Sequence, residues 1–337
     1  MLLAGMLVAD SSPAFAAAGT VTELPSLGFF STPWGLVQGP DHNMWFTEEF
    51  LGKIANVNPT TQVVTTYAVP GAGFDNLESN ITVGSDGNFW FTENGGLGRI
   101  GSFNPTTLAF TMYTTPTSYS RPFAIAPGPD GNLWFTEDAN NIGTINPSTG
   151  AITEFPIPTA QAFPDGIVAG PDGNMWFTEA GANQIGRISP LTHKIKEFKV
   201  RTKNSGPEGI TVGPDGNLWF TDNFTGEITR MSTSGAMKEF PTPSGLGDGP
   251  FYITTGPDGN LWFGENQSID NGVTYNIGRI TLKGQVTEYP LPIYGHNGQP
   301  GPPRNENGGA IGIAAGPDGN VWFCDSGAGR IGFITVS

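Results

Sequence analysis

Gly170-Pro171-Asp172-Gly173-Asn174-Met175-Trp176-Phe177-Thr178-Glu179 opens with a tight turn and closes on two adjacent large aromatics. Proline presets φ for the first turn corner, aspartate suits the second, and glycine follows where a positive φ is wanted. The Trp-Phe pair recurs at 45–46, 90–91, 134–135, 176–177, 219–220, 262–263 and 322–323. Five copies read Gly-Pro-Asp-Gly-Asn unchanged, and of eight tryptophans only Trp34 lies outside the pattern. A repeat of about 40–45 residues points to a propeller or a solenoid.

Working outward from this copy, residues 166–169 form a short apolar strand before the turn, and 174–179 form a second. A third runs over 184–189, and a Pro-Leu-Thr-His turn leads to a fourth over 194–200. Four antiparallel strands per repeat make one propeller blade. Tryptophan and phenylalanine, adjacent on a strand, point to opposite faces, so each meets a different neighbouring blade. The expected fold is all-β, a seven-bladed propeller of four-stranded antiparallel blades. Outer strands end in a proline signature, as in Thr153-Glu154-Phe155-Pro156, Lys238-Glu239-Phe240-Pro241 and Thr287-Glu288-Tyr289-Pro290. The same signature, Thr22-Glu23-Leu24-Pro25, precedes the first blade, and the last repeat stops after its third strand near Ile334. The N-terminal segment is therefore expected to complete the last blade and hide both edges.

Composition agrees. Charged residues are 13% of the chain, while Gly (49) and Pro (29) abound, the profile of short strands and tight turns. No stretch has helical periodicity, so almost no helix is predicted. A net charge of −15 without a basic stripe argues against nucleic acid as a partner and suits a small molecule or a metal ion. Cys324 is the single cysteine, which excludes an internal disulfide and reads as a packed thiol. Residues 1–18 look like a signal peptide, with an apolar core over 2–9 and a small-x-small site at Ala14-Phe15-Ala16, although the usual basic start is missing. Residues 19–337 then form one domain, expected to be monomeric and secreted or periplasmic. Nothing else has the length of a membrane-spanning helix.

Gly-Pro-Asp-Gly-Asn-Leu-Trp-Phe-Thr-Glu followed by Ile-Gly-Arg-Ile resembles the repeat of the streptogramin B (virginiamycin B) lyases, which are seven-bladed propellers. Matching copies lie at 128–137, 170–179 with 185–188, and 256–263 with 277–280, and the resemblance spans 21–334. It implies a magnesium-assisted lyase that opens a cyclic depsipeptide by elimination at its ester linkage. That chemistry needs a base for the proton beside a carbonyl and a cation for the developing enolate. The resemblance also implies histidines in Pro-His-Gly-Ile-type loops just before the inner strands. Here those loops read Pro33-Trp34-Gly35-Leu36, Pro122-Phe123-Ala124-Ile125, Pro164-Asp165-Gly166-Ile167, Pro207-Glu208-Gly209-Ile210 and Pro250-Phe251-Tyr252-Ile253. None holds a histidine, and the other two blades have neither the proline nor the histidine.

Propeller connectivity puts the Gly-Pro-Asp-Gly turns at one end. The loops leading into each inner strand, and those after Trp-Phe-Thr-Glu, share the other. Insertions over 71–80, 266–275 and 292–309 concentrate at this second end, which is where a site is expected. His42 and His193 belong to the turn end; only His296, in the long insertion, can reach the site as a candidate base. Each blade carries an acid three residues after its tryptophan: Glu48, Glu93, Glu137, Glu179, Asp222, Glu265 and Asp325. A sevenfold series reads as architectural, balanced by Lys53, Arg99, Arg187, Arg230, Arg279 and Arg330 on the next strand. Asp165 and Glu208 add a second acid to two adjacent blades, each fourteen residues before Glu179 and Asp222. If these four meet, they repel unless protonated, hydrogen-bonded or bound to Mg²⁺ or Ca²⁺. Trp34, Phe123, Phe251 and Tyr252 occupy equivalent loops and give the cup an aromatic side, with Arg121 and Arg304 placed to fix an anionic group.

The function read from these residues is an exported propeller that holds a small or peptide-like ligand in an acidic and aromatic cup, with no organic cofactor. The alternative is a metal-assisted lyase or a lactone hydrolase in which Glu208 or Asp165 replaces histidine. A carboxylate near its ordinary pKa of about 4 is a weak base for a carbon acid, so that alternative requires burial or close neighbours.

Overall fold

The computed structural model describes residues 18–28, 30–72, 78–245, 249–265, 275–292 and 309–336. The leader-like 1–17, His296, Arg304 and the greater part of the three insertions lie outside the described residues. Seven four-stranded antiparallel sheets form the blades of a propeller ring. Blade 1 spans 33–68, blade 2 78–114, blade 3 122–156, blade 4 164–199, blade 5 207–241 and blade 6 250–290. Blade 7 takes its three inner strands from 310–334 and its outer strand from Val21–Glu23, which pairs with Arg330–Ile334 in the register Val21↔Ile334 and Glu23↔Gly332. The expected closure is present. A single 3₁₀ turn, Glu49–Leu51, is the only helical element among the described residues, and none of their helices is long and apolar enough to cross a membrane.

The repeat supplies the core between blades. The tryptophan of each blade clusters with the phenylalanine of the next: Trp45 with Phe91, Trp90 with Phe135, Trp134 with Phe177, Trp176 with Phe220, Trp219 with Phe263 and Trp262 with Phe323. Trp322 with Phe46 closes the circle. A buried indole also needs a partner for its N–H. The turn aspartate provides it in every blade, with Nε1 donating to Asp Oδ1 at 2.9–3.1 Å. The glycine that opens the turn is required by close approach, since a Cβ on Gly170 would lie 2.3 Å from Trp176 Cδ1. Gly-Pro-Asp-Gly-Asn-x-Trp is thus one packing unit in which the turn holds the aromatic that joins two blades.

Candidate functional site

Every inner strand starts with the same irregularity. In blade 4, Pro164 pairs with Glu179, and the register then slips so that Ile167 pairs with Phe177. The other six blades slip at the equivalent place. Such bulges re-aim side chains at the rim of a sheet. The bulged positions include Trp34, Phe123, Asp165, Glu208 and Phe251, so five blades each bring one of these side chains to the mouth of the channel.

The threonine of Trp-Phe-Thr-Glu locks these bulges from blade to blade. Thr178 Oγ1 accepts from Gly166 N at 2.9 Å in its own blade and donates to Glu208 O at 2.6 Å in the next. Thr92, Thr136 and Thr221 repeat the arrangement, donating to the carbonyls of Phe123, Asp165 and Phe251 at 2.5–2.7 Å. Neighbouring inner strands also approach closely, because a Cβ on Gly166 would fall 2.6 Å from Glu208 O. That approach places Asp165 and Glu208 beside one another.

The two carboxyls titrate as neighbours. Burial, reinforced by the charge of Asp138, raises Asp165 to about 7. Burial, reinforced by Asp165, pushes Glu208 well above the usual carboxylate range. Burial likewise raises the Tyr252 phenol, with the charges of Asp165 and Glu208 adding to it and Trp34 and Asn80 opposing it. These residues therefore share one site. At neutral pH the acid pair retains at least one proton, so it offers both a hydrogen-bond donor and acceptors. Asp165 Oδ1, Glu208 Oε2, Tyr252 OH and Trp34 Nε1 are buried, and none makes a well-formed hydrogen bond within the chain.

The aromatics expected in the cup do converge. Trp34 meets Phe123 edge to face at 6.4 Å between centroids and Phe251 at 5.8 Å, while Phe251 meets Tyr252 at 4.9 Å. Blades 1, 3 and 6 thus touch across the axis. The inner strands enclose a cavity of about 140 Å³ walled by all seven blades, with Gly35, Gly166, Gly312 and Tyr252 on its lining. Arg121 stands at the rim with φ 52° and pairs with Asp138 at 3.5 Å.

The four acids expected to meet separate into different places. Glu179 faces Gln184 at 3.4 Å and is raised to about 8 by burial and then by Glu197. Asp222 accepts from Thr229 Oγ1 at 2.5 Å and is raised to about 7 by burial. Both sit at the ends of second strands and turn toward their own blades. Among the described residues no group of three or more His, Cys, Asp or Glu side chains is placed to hold a metal ion. All four keep one buried oxygen without a hydrogen-bond partner, and Asp165 and Glu208 are the two that stand at bulged positions.

The expected placement of a base opposite the sevenfold acids holds in blades 1, 2 and 7, where Lys53, Arg99 and Arg330 lie opposite Glu48, Glu93 and Asp325. Arg99 grips Glu93 through two contacts of 2.6 Å, and Lys53 lies opposite Glu48. In blades 4, 5 and 6 the arginine stands three positions further along its strand, opposite tryptophan, and pairs with a turn aspartate: Arg187 with Asp172, Arg230 with Asp215, Arg279 with Asp258. Sequence reasoning passed over the threonine relay, although threonine follows Trp-Phe in five of seven copies. It also passed over Asn80 and Asp138, which have no repeated counterpart to mark them.

Comparison with known proteins agrees with this geometry. The model of the virginiamycin B lyase family matches residues 19–292 and again 191–337. The chain belongs to the virginiamycin B lyase family. Selenomethionine-substituted virginiamycin B lyase from Staphylococcus aureus is 33% identical with a TM-score of 0.81, covering 94% of this chain and 99% of that one. A catalytically inactive variant of the S. aureus enzyme, a histidine replaced by alanine, solved with quinupristin, is 33% identical over the same shares with a TM-score of 0.82. A streptogramin B lyase is 32% identical, with a TM-score of 0.81 over 94% of this chain and 98% of that one. No curated protein sequence matched.

Proposed function

We propose that this family member is an exported binding propeller whose central cup holds an amphipathic small or peptide-like molecule without the family's turnover. The apolar part of the ligand lies on Trp34, Phe123, Phe251 and Tyr252, and a polar or cationic group lies on Asp165 and Glu208. One observation carries this reading: four buried polar atoms without a well-formed partner surround an aromatic cup. Buried donors and acceptors normally have partners, and a ligand is what supplies them at a binding site. The loss of activity in the S. aureus histidine variant supports a catalytic need for histidine in that relative. In this chain the bulged positions Trp34, Phe123, Asp165, Glu208 and Phe251 include no histidine. The leader-like residues 1–18 support export.

A second reading draws on the raised acids. A carboxyl lifted toward neutrality is a competent general base. Glu208 or Asp165 can then take the proton next to a carbonyl in an elimination that opens an ester, or activate water against a lactone. A divalent cation would be held by Asp165 and Glu208 with water completing its shell, as Mg²⁺ commonly is by one or two carboxylates. It would supply charge stabilisation to a developing enolate.

Calorimetric titration with quinupristin, with and without Mg²⁺ or Ca²⁺, separates these readings when products are followed by mass spectrometry. Heat without product, weakened in Trp34→Ala and in Asp165→Asn/Glu208→Gln, is the expected result. Ring opening that disappears in Glu208→Gln would replace it with the enzyme reading. Silence under every condition would refute a cup that accepts this class of ligand.

A further inference from the structure

The turn end of the ring holds a second site, visible when the blades are compared with each other. In blades 4, 5 and 6 the third-strand residue opposite the tryptophan is arginine. The guanidiniums of Arg187, Arg230 and Arg279 lie 5.5–5.7 Å from the centroids of Trp176, Trp219 and Trp262. Each also lies 2.9–3.6 Å from Oδ2 of its turn aspartate, and Arg230 reaches Leu282 O in the next blade's turn at 3.5 Å. The repeat thus builds a guanidinium seat from an indole face and a carboxylate, joined in blade 5 by a neighbouring turn, and three blades fill it themselves.

Three other blades cover the same place differently. Phe333 lies against Trp322 at 5.0 Å in blade 7. His193, from the turn of blade 4, stacks on Phe155 of blade 3 at 4.4 Å. In blade 2 the turn of blade 3 lies on Tyr113, where a Cβ on Gly150 would come within 2.2 Å of the ring.

Blade 1 leaves the seat open. Its residue opposite Trp45 is Asn56, too short to reach the turn. Leu108, with φ 58°, stands where Gly150 stands in the next blade, so this turn cannot lie flat on Tyr67. A cavity of about 540 Å³ results, lined by Asp41, Trp45, Asn56 and Tyr67 and by Pro105 and Thr106 of blade 2. All other parts of the seat are in place. Tyr67 stacks on Trp45 at 5.5 Å and 16°, just as Phe198 does on Trp176 at 5.3 Å and 28°. Asp41 is held by Trp45 Nε1 at 3.0 Å and Asn43 Nδ2 at 2.8 Å, as Asp172 is by Trp176 and Asn174 at 2.9 and 2.8 Å. Pro105 occupies the turn position of Leu282.

We propose that this cavity between blades 1 and 2 is a socket for the guanidinium of an arginine side chain on a peptide ligand. The commitment to guanidinium rests on what the same architecture seats three times over, and on the planar cation's fit to both an aromatic face and a carboxylate. The chain's net charge of −15 favours a basic peptide. The socket faces away from Trp34 at the other end of the ring, so it stands or falls independently of the central cup.

The test is a titration of the ¹⁵N-labelled protein, observing its eight indole N–H signals. N-acetyl-arginine amide is expected to shift the assigned Trp45 signal selectively, with a Kd on the order of 1–10 mM for a single side chain. N-acetyl-citrulline amide, neutral and isosteric, should leave it in place, and N-acetyl-lysine amide should act several-fold more weakly. Asn56→Arg, which fills the seat from within, should abolish the response while the other indole signals stay put. Equal shifts with citrulline, an undiminished response in folded Asn56→Arg, or no shift up to about 50 mM arginine amide would each overturn the proposal. The arginine and citrulline comparison on the wild type decides the matter even if the variant fails to fold.

Discussion

Replacing Asp165 by asparagine should stabilise the protein, and only above about pH 5. Burial first, and the charge of Asp138 second, lift this carboxyl from 3.8 to about 7. The native state therefore holds the proton more tightly than the unfolded chain does. Between those two values the native state binds more protons, so stability falls as pH rises, and it levels off above about 7. The interval corresponds to about 4 kcal/mol at ~1.4 kcal/mol for each pH unit, an upper bound for an isolated group. Asp165 is partly exposed and its titration is linked to that of Glu208, which reduces the expected gain at pH 8 to about 2 kcal/mol. The amide has the same shape and no charge to bury. At pH 4.5, where the native carboxyl is protonated, the substitution should change stability by less than about 0.5 kcal/mol.

Urea denaturation of both proteins from pH 4.5 to 9 measures this directly. Glu49, Glu137, Glu179 and Asp222 are also raised, to about 7 or 8, and tilt both profiles alike. The difference between the two proteins reports Asp165 together with the groups its charge acts on, Glu208 first among them. Carboxyl NMR of Glu208 adds a second readout, since its midpoint should fall once the neighbouring charge is gone. A gap constant with pH would show that folding leaves the Asp165 pKa where it is in the unfolded chain, and a variant less stable than wild type at pH 8 would show that the carboxylate is favourably engaged. Either result would refute a buried acid pair that resists ionisation.

Two further predictions concern the frame. A chain beginning at Ser26 lacks the Val21–Glu23 strand and the buried Leu24, and should lose roughly 3–5 kcal/mol in urea, counting one leucine and several ladder hydrogen bonds; an unchanged midpoint would refute the closure. Thr178→Val strands both Gly166 N–H and Glu208 C=O, and should cost about 2–3 kcal/mol and move the Glu208 titration, whereas Thr178→Ser should stay within about 1 kcal/mol of wild type. Equal losses for valine and serine would deny the hydrogen bonds that role.

The fold could be read because its determinants are local and repeated. A turn, an indole and a phenylalanine recur within ten residues, so seven copies point to the same packing, and the missing outer strand shows as a displaced Thr-Glu-x-Pro. The cup was partly legible for the same reason: Trp34, Phe123, Asp165, Glu208 and Phe251 stand at one position of the repeat, and equal positions lie at equal radius. Equal radius alone does not give direction. Glu179 and Asp222 also share a radius, yet they lie beyond the bulge, opposite Pro164 and Pro207 in the ladder. There they turn to Gln184 and Thr229 instead of the axis. Arg187, Arg230 and Arg279 depart from the expected acids because they look like Arg99 in sequence, while the registers place Arg99 opposite Glu93 and Arg187 opposite Trp176.

The threonine relay bears on how such a ring can change its ligand. In blades 3, 4 and 5 the backbone at each bulge is held on both sides by threonine hydroxyls, whatever side chain the bulged residue carries. Phe123, Asp165, Glu208 and Phe251 differ in size and charge yet have carbonyls held at 2.5–2.7 Å. The relay stops at the last two blades, where Gly264 and Cys324 replace threonine. There a Cβ on Gly264 would lie 2.0 Å from Ala310 O, so the two blades approach through bare backbone, and Ser326 takes over by donating to Pro33 O of blade 1. Backbone geometry at the mouth is therefore set by atoms other than those the bulged side chains present to the channel. A single substitution at a bulge changes the chemistry of the mouth without disturbing the joints between blades, which is how one ring carries aromatics at Phe123 and Phe251 and acids at Asp165 and Glu208 on the same backbone.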